Sequence, residues 1–102
     1  MTTVAKVQDY LKTCDLTGAV LDSCASSLCI SVSVISRRLK ADGVTFTSLL
    51  DAERRARCEA LYSRHKRPDA ALVMRVTGYR STSSVTRAIR RWFGANLLEL
   101  RS

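Results

Sequence analysis

The chain has 102 residues, of which 46% are hydrophobic, and its thirteen arginines, four lysines and nine acidic residues give a net charge of +8. This length allows one compact unit or two very small ones, and the hydrophobic content is sufficient for a core. Because there is no signal peptide and no apolar run of membrane-spanning length, the sequence predicts a cytoplasmic protein with no membrane partner.

Helical periodicity dominates the first half of the chain. Apolar residues recur every three or four positions over 4–11 and again over 21–28, which predicts two helices. Ser31 is placed to cap a third helix by accepting a backbone N–H, and this helix is predicted over Val32–Ala41. Gly43 follows it, in the position where a glycine with positive φ commonly ends a helix.

The second half of the chain continues the helical pattern. A long helix is predicted over 47–63, and an aspartate-capped helix is predicted over 69–76. Gly78 then allows a sharp turn, because glycine adopts a positive φ without a clash at Cβ. A serine-capped helix is predicted over Thr82–Arg91, and a short terminal helix is predicted over 97–100.

The two halves repeat one arrangement. Residues 19–43 and residues 69–94 both run in the order helix, turn, serine-capped helix and glycine. Each repeat is too small to be stable alone. The sequence therefore predicts an all-α fold of about seven helices. Its predicted parts are a first helix-turn-helix subdomain over 1–46, a linker helix over 47–63 and a second helix-turn-helix subdomain over 64–102.

Double-stranded DNA is the partner that the two capped helices indicate. Val32–Ala41 and Thr82–Arg91 each combine an apolar side with a side rich in hydroxyls and arginines, a pattern suited to a DNA groove. Charge supports this partner, because residues 1–30 carry a net charge of −1 and residues 31–102 carry +9. If the long helix separates the two capped helices by one turn of DNA, about 34 Å, they can enter successive major grooves.

The polar sides of these helices supply the candidate contacts. Arg37 and Arg87 occupy matching places in the two helices and are predicted to face bases, because arginine forms bidentate contacts with guanine. The further base-facing candidates carry hydroxyls: Ser33, Ser36, Thr82, Ser83 and Thr86. The predicted phosphate contacts are cap serines and basic residues: Ser31, Arg38, Lys40, Ser81, Arg90 and Arg91.

Other classes of site find little support in the sequence. Its cysteines (Cys14, Cys24, Cys29 and Cys58) contain no CxxC pair, and His65 is the single histidine, so we predict neither a zinc site nor a disulfide framework. Cys24 and Cys58 fall in apolar patterns and are predicted to be core residues. The sequence offers no nucleophile–base pair, phosphate-binding glycine loop or clustered carboxylates, so we predict no enzyme activity and no cofactor.

Over roughly residues 6–101, the sequence resembles the DNA-binding domain of AraC/XylS-type bacterial transcription regulators. The second repeat has two glycines sixteen residues apart, as in the family, and its matching residues are Gly78, Tyr79, Ser83, Arg87 and Arg90–Gly94. The matching segments of the first repeat are Leu28–Ser31, Arg37–Lys40 and Gly43–Phe46. The chain departs from the family pattern at packing positions, which are Met74, Ser84, Val85 and Leu97.

This resemblance implies a transcription regulator of the bacterial nucleoid, and more specifically an activator that places a protein surface beside RNA polymerase. A stand-alone chain would bind DNA as a monomer, whereas the C-terminal part of a longer regulator would bind as a dimer. A second hypothesis stays open: a protein-interaction regulator that uses this fold to bind and inhibit another AraC-family protein.

Overall fold

The computed structural model describes residues 1–65 and 68–94. Within these residues the chain forms six α-helices and a short 3-10 helix at Leu16–Gly18, without a β-strand, which confirms the all-α prediction. The helices are α1 Thr3–Thr13, α2 Leu21–Leu28, α3 Val32–Ala41, α4 Phe46–Arg64, α5 Ala70–Thr77 and α6 Thr82–Phe93. The helix predicted over 97–100 lies outside the described residues.

Backbone contacts divide the chain into a first unit, Met1–Glu53, and a second unit, Arg54–Ser102. The first unit holds α1, α2, α3 and the start of α4, and the second holds the rest of α4 with α5 and α6. The long helix predicted over 47–63 is α4. The subdomain boundaries predicted from the sequence, after residues 46 and 63, stay a prediction.

The core of the first unit forms where α1, α2 and α3 pack against one another. Val7 and Leu11 of α1, Cys24 of α2, and Ile35 and Leu39 of α3 are at most 1% exposed. Full burial of such an aliphatic side chain is worth about 1.5–3 kcal/mol. The apolar side of α3 is thus held by the other two helices, and its polar side is left to solvent.

The core of the second unit forms between α4, α5 and α6. Cys58 and Leu61 of α4, Val73 of α5, and Val85 and Ile89 of α6 are at most 1% exposed. As in the first unit, the last helix is held along its apolar side. The prediction that Cys24 and Cys58 are core residues is confirmed, because both thiols are fully buried.

Side-chain caps define the starts of the helices that matter most for the site. Ser31, Asp69 and Ser81 each accept the backbone N–H of the residue three positions later, at 3.3, 2.8 and 3.2 Å. Such a cap is worth about 1 kcal/mol, because it satisfies an N–H that has no partner within the helix. These are the three caps that the sequence predicts for α3, α5 and α6.

The turns before α3 and α6 both begin with a left-handed residue. Gly78 ends α5 with a φ of 81°, which glycine adopts without strain. Cys29 ends α2 with a φ of 57°. Among the described residues, it is the only residue other than glycine that has a positive φ. A side chain in this conformation is under steric strain. The first unit therefore makes its turn without the glycine that the second unit uses.

Candidate nucleic-acid interface

The two capped helices carry the same polar pattern at the same positions. Counted from the cap serine, positions two, six and nine are Ser33, Arg37 and Lys40 in α3, and Ser83, Arg87 and Arg90 in α6. Because a helix turns 100° per residue, each set lies along one face. All six residues are exposed. We call each set the outward stripe of its helix.

In α3, the outward stripe lies directly opposite the buried side. Ile35 and Leu39 each lie two residues from Arg37, about 200° around the helix, and both are buried in the core of the first unit. Ser36 lies beside the stripe and is exposed. Arg38, predicted to contact phosphate, is exposed but lies about 100° from Arg37, outside the stripe.

In α6, the same geometry holds around Arg87. Val85 and Ile89 lie two residues to either side of it and are buried, and Ala88 is also buried at the position that matches Arg38. Thr86 is half-buried on the flank of the stripe. The described part of α6 therefore presents one arginine-rich face, with the second core behind it.

Hydroxyl groups in and before α6 form hydrogen bonds within the protein. Thr86 donates to the carbonyl oxygen of Thr82 at 2.9 Å, and Thr82 donates to Sδ of Met74 at 3.9 Å. The Ser81 hydroxyl donates to Oγ of Ser84 at 2.9 Å. A hydroxyl can still accept a hydrogen bond after donating one. These three predicted contact residues are thus partly committed to intramolecular bonds.

Aromatic contacts surround the turn and the end of α6. Tyr79, in the turn, lies with its ring centroid 6.2 Å from that of Trp92, and the Arg54 guanidinium carbon lies 4.3 Å from the Tyr79 centroid. Arg91, a predicted phosphate contact, lies 5.8 Å from the Trp92 centroid. A cation over an aromatic face is attracted by the ring quadrupole. The pairing of Arg54 with Tyr79 has no signal in the sequence, because the two residues are far apart along the chain.

Charge is distributed unequally between the two units. Residues 1–53 contain five basic and six acidic side chains, for a net charge of −1, whereas residues 54–102 contain twelve and three, for a net charge of +9. A net charge of this size raises the local concentration of anions and their rate of association. The second unit therefore supplies the positive field, while both units supply an arginine on an outward stripe.

Buried thiols lie behind the stripes and take no part in them. Burial, with a smaller contribution from the Glu59 carboxylate, raises the pKa of the Cys58 thiol to about 11. Burial and then the neighbouring Cys14 raise the pKa of Cys24. Both thiols stay protonated at neutral pH, in keeping with core residues.

Two further structural features bear on the site. In residues 1–65 and 68–94, no three His, Cys, Asp or Glu side chains come together in a way that could hold a metal ion. No helix in this described part is long and apolar enough to span a lipid bilayer.

The fold is shared with a known protein. The chain matches no family model and no curated protein. A solved structure, that of a DNA-binding transcriptional dual regulator from Escherichia coli K-12, resembles it with a TM-score of 0.88 at 22% sequence identity. The match covers 99% of this chain and 90% of the other. At this identity the likeness establishes the fold.

Proposed function

We propose that the protein is a sequence-specific transcription regulator that binds double-stranded DNA through α3 and α6. The observation that carries this proposal is the repeated outward stripe, with an exposed serine, arginine and basic residue at matching positions of two capped helices. Each stripe offers a guanidinium for a base edge and a second cation for a phosphate. The shared fold with an E. coli DNA-binding regulator supports the proposal.

In this proposal each outward stripe lies in a major groove, and the two half-sites are one helical turn apart on the same side of the duplex. Arg37 and Arg87 contact bases, and Lys40 and Arg90 contact phosphates. Ser31 and Ser81 contact the DNA backbone at the N-terminus of each helix, where the helix dipole attracts phosphate. One chain would then occupy a site that a dimer with a single helix per subunit needs two chains to fill.

Selection from a random duplex library tests the proposal. We expect a bipartite consensus with half-site centres about 10 base pairs apart, and a hydroxyl-radical footprint with two protected regions at that spacing. Each neutralised phosphate contributes about −0.9 to the slope of log affinity against log salt, so four or more contacts predict a slope of about −4 or steeper. An affinity that barely changes with salt would contradict DNA binding, and a selection that enriches no sequence would contradict sequence-specific recognition.

The same experiment separates this proposal from a protein-interaction regulator. A chain that inhibits another AraC-family protein would enrich no duplex. It would instead form a complex with that protein through surfaces that include Arg37 or Arg87. Size-exclusion chromatography with light scattering measures both outcomes, in one run with the selected duplex and in another with an AraC-family protein in place of the duplex. We expect one chain per duplex.

Activation is the regulatory effect that we propose, together with action in the cytoplasm on the bacterial nucleoid. It rests on the resemblance to AraC/XylS-type regulators, whose DNA-bound domain presents a surface to RNA polymerase. Transcription in vitro, with bacterial RNA polymerase and a template that carries the selected site upstream of a weak promoter, tests it. More transcript with the protein supports activation, and less transcript indicates repression.

A further inference from the structure

The hydrogen bonds of α6 decide which part of Thr86 is available to a ligand. Its hydroxyl donates to the Thr82 carbonyl oxygen at 2.9 Å, one turn back along the helix. A threonine bonded in this way has used its single proton and cannot donate to a ligand, so it can contact one through its γ-methyl or through the lone pairs of its hydroxyl oxygen. Thr86 directly precedes Arg87 and lies on the flank of the outward stripe, half-buried and therefore still accessible.

A methyl group at this place has one chemical counterpart in the major groove. Base edges there carry hydrogen-bond donors and acceptors, together with the C5 methyl group of thymine. Contact between two methyl groups removes apolar surface from water and leaves no polar group without a partner. The neighbouring Arg87 supplies a polar contact from the outward stripe, so the two side chains would read different features of the half-site.

We infer that Thr86 is a specificity-determining residue that reads the C5 methyl of a thymine in the half-site bound by the second unit. The inference rests on the proposed DNA-binding function and adds the chemical identity of one base. The matching residue of α3 is Ser36, which has no methyl group. The half-site of the first unit therefore lacks this contact, although the two outward stripes are otherwise alike.

Replacement of thymine by uracil tests the inference, because it removes the C5 methyl and keeps every hydrogen-bonding group of the base pair. In the duplex selected from the random library, each thymine is replaced singly, and dissociation constants are measured by fluorescence anisotropy. We expect one replacement in the half-site of the second unit to weaken binding by about three- to fivefold, as follows from exposing one methyl group.

Two variants at the same position identify the group that reads the base. Thr86→Val keeps a methyl and removes the hydroxyl, and it should retain the sensitivity to uracil. Thr86→Ser keeps the hydroxyl and removes the methyl, and it should bind the thymine and uracil duplexes equally. Circular dichroism and thermal unfolding of both variants show whether α6 is intact, and Ser36→Ala is the matched change in the first unit, which should leave the uracil effect unchanged.

Each other outcome overturns the inference in a distinct way. If no single uracil weakens wild-type binding, or if Thr86→Ser retains the uracil effect, Thr86 does not read a thymine methyl. If Thr86→Val loses affinity and Thr86→Ser keeps it, the hydroxyl oxygen accepts from a base amino group instead. If the selection yields no specific duplex, the proposed function itself fails, and this is seen before any Thr86 variant is made.

Discussion

The two units present the same outward stripe in opposite electrostatic surroundings. The first unit carries a net charge of −1 and the second a net charge of +9. Yet Arg37 and Arg87 lie at the same position after a cap serine, each opposite two buried aliphatic residues. The comparison teaches that capping and core burial set the direction of each stripe, while the charge around it varies independently.

The turns differ in a second way that bears on stability. The second unit uses Gly78 for its left-handed residue and the first unit uses Cys29. The first unit thus keeps a strained residue directly before the cap of α3. Its geometry is maintained by the core packed behind α3, since the local backbone does not favour it.

The cores behind the two stripes offer the largest expected effect. Leu39 and Ile89 lie fifty residues apart at matching positions, at 1% and 0% exposure. Leu39→Ala and Ile89→Ala should each lower the free energy of unfolding by about 2–5 kcal/mol, through lost burial and a residual cavity. Urea unfolding followed by circular dichroism measures both. Fluorescence of Trp92, the single tryptophan, reports on the second unit. If the free energy of unfolding falls by less than about 1 kcal/mol in either variant, the two cores do not hold their helices equally.

Buried thiols give a pH-dependent difference between the units. The pKa of Cys58 is about 11 in the folded chain against an ordinary 9.0, so the folded state holds this proton more tightly. The protonated Cys58 thiol therefore stabilises the folded state fully below pH 9. As the pH rises from 9 to 11, the free energy of unfolding should fall by about 2–3 kcal/mol. Urea unfolding at several pH values should show this decline. Cys58→Ala should remove the contribution of the Cys58 thiol to this decline, and Cys24→Ala in the first unit should remove a separate, smaller contribution.

The arginine contacts with bases should contribute equally in the two units if the outward stripes are equivalent. Arg37→Ala and Arg87→Ala should each weaken binding to the selected duplex about tenfold or more. Each should also relax the base preference in its own half-site, because a bidentate arginine–guanine pair is worth about 1–3 kcal/mol. Lys40→Ala and Arg90→Ala should weaken specific and random duplexes alike. Competition binding of the four variants decides. Equal losses on both kinds of duplex for all four would refute the division into base and phosphate contacts.

The turns give the smallest expected effects, of opposite sign. Gly78→Ala should lower the free energy of unfolding by about 1–2 kcal/mol, because it places a Cβ at positive φ. Cys29→Gly should raise it by about 0.5–1 kcal/mol, since relief of the same strain is partly offset by the greater freedom of glycine when unfolded. Cys29→Ala keeps the strain and is the control. Thermal unfolding measures the stability of all three variants. If Cys29→Gly and Cys29→Ala change the stability equally, the backbone at Cys29 is not strained.

Much of the fold could be predicted because its signals are local. Helix α3 begins and ends at the predicted residues, and the cap serines Ser31 and Ser81 form the predicted hydrogen bonds. Capping and helical periodicity depend on residues within one turn of each other, so a single sequence contains them. The assignment of individual residues to bases or phosphates stays a prediction.

The sequence by itself determined the all-helical class, the repeated turn and capped helix, and the exposed arginine at the same place in each repeat, because these follow from spacing along one helix. Only the tertiary structure decided which groups those faces present. The Arg54 contact with Tyr79 and the Thr82 hydrogen bond to Met74 join different elements. The direction of the Thr86 hydroxyl depends on its rotamer in the folded chain. These contacts and rotamers are determined by how the helices pack, and the spacing of residues along one helix carries no information about them.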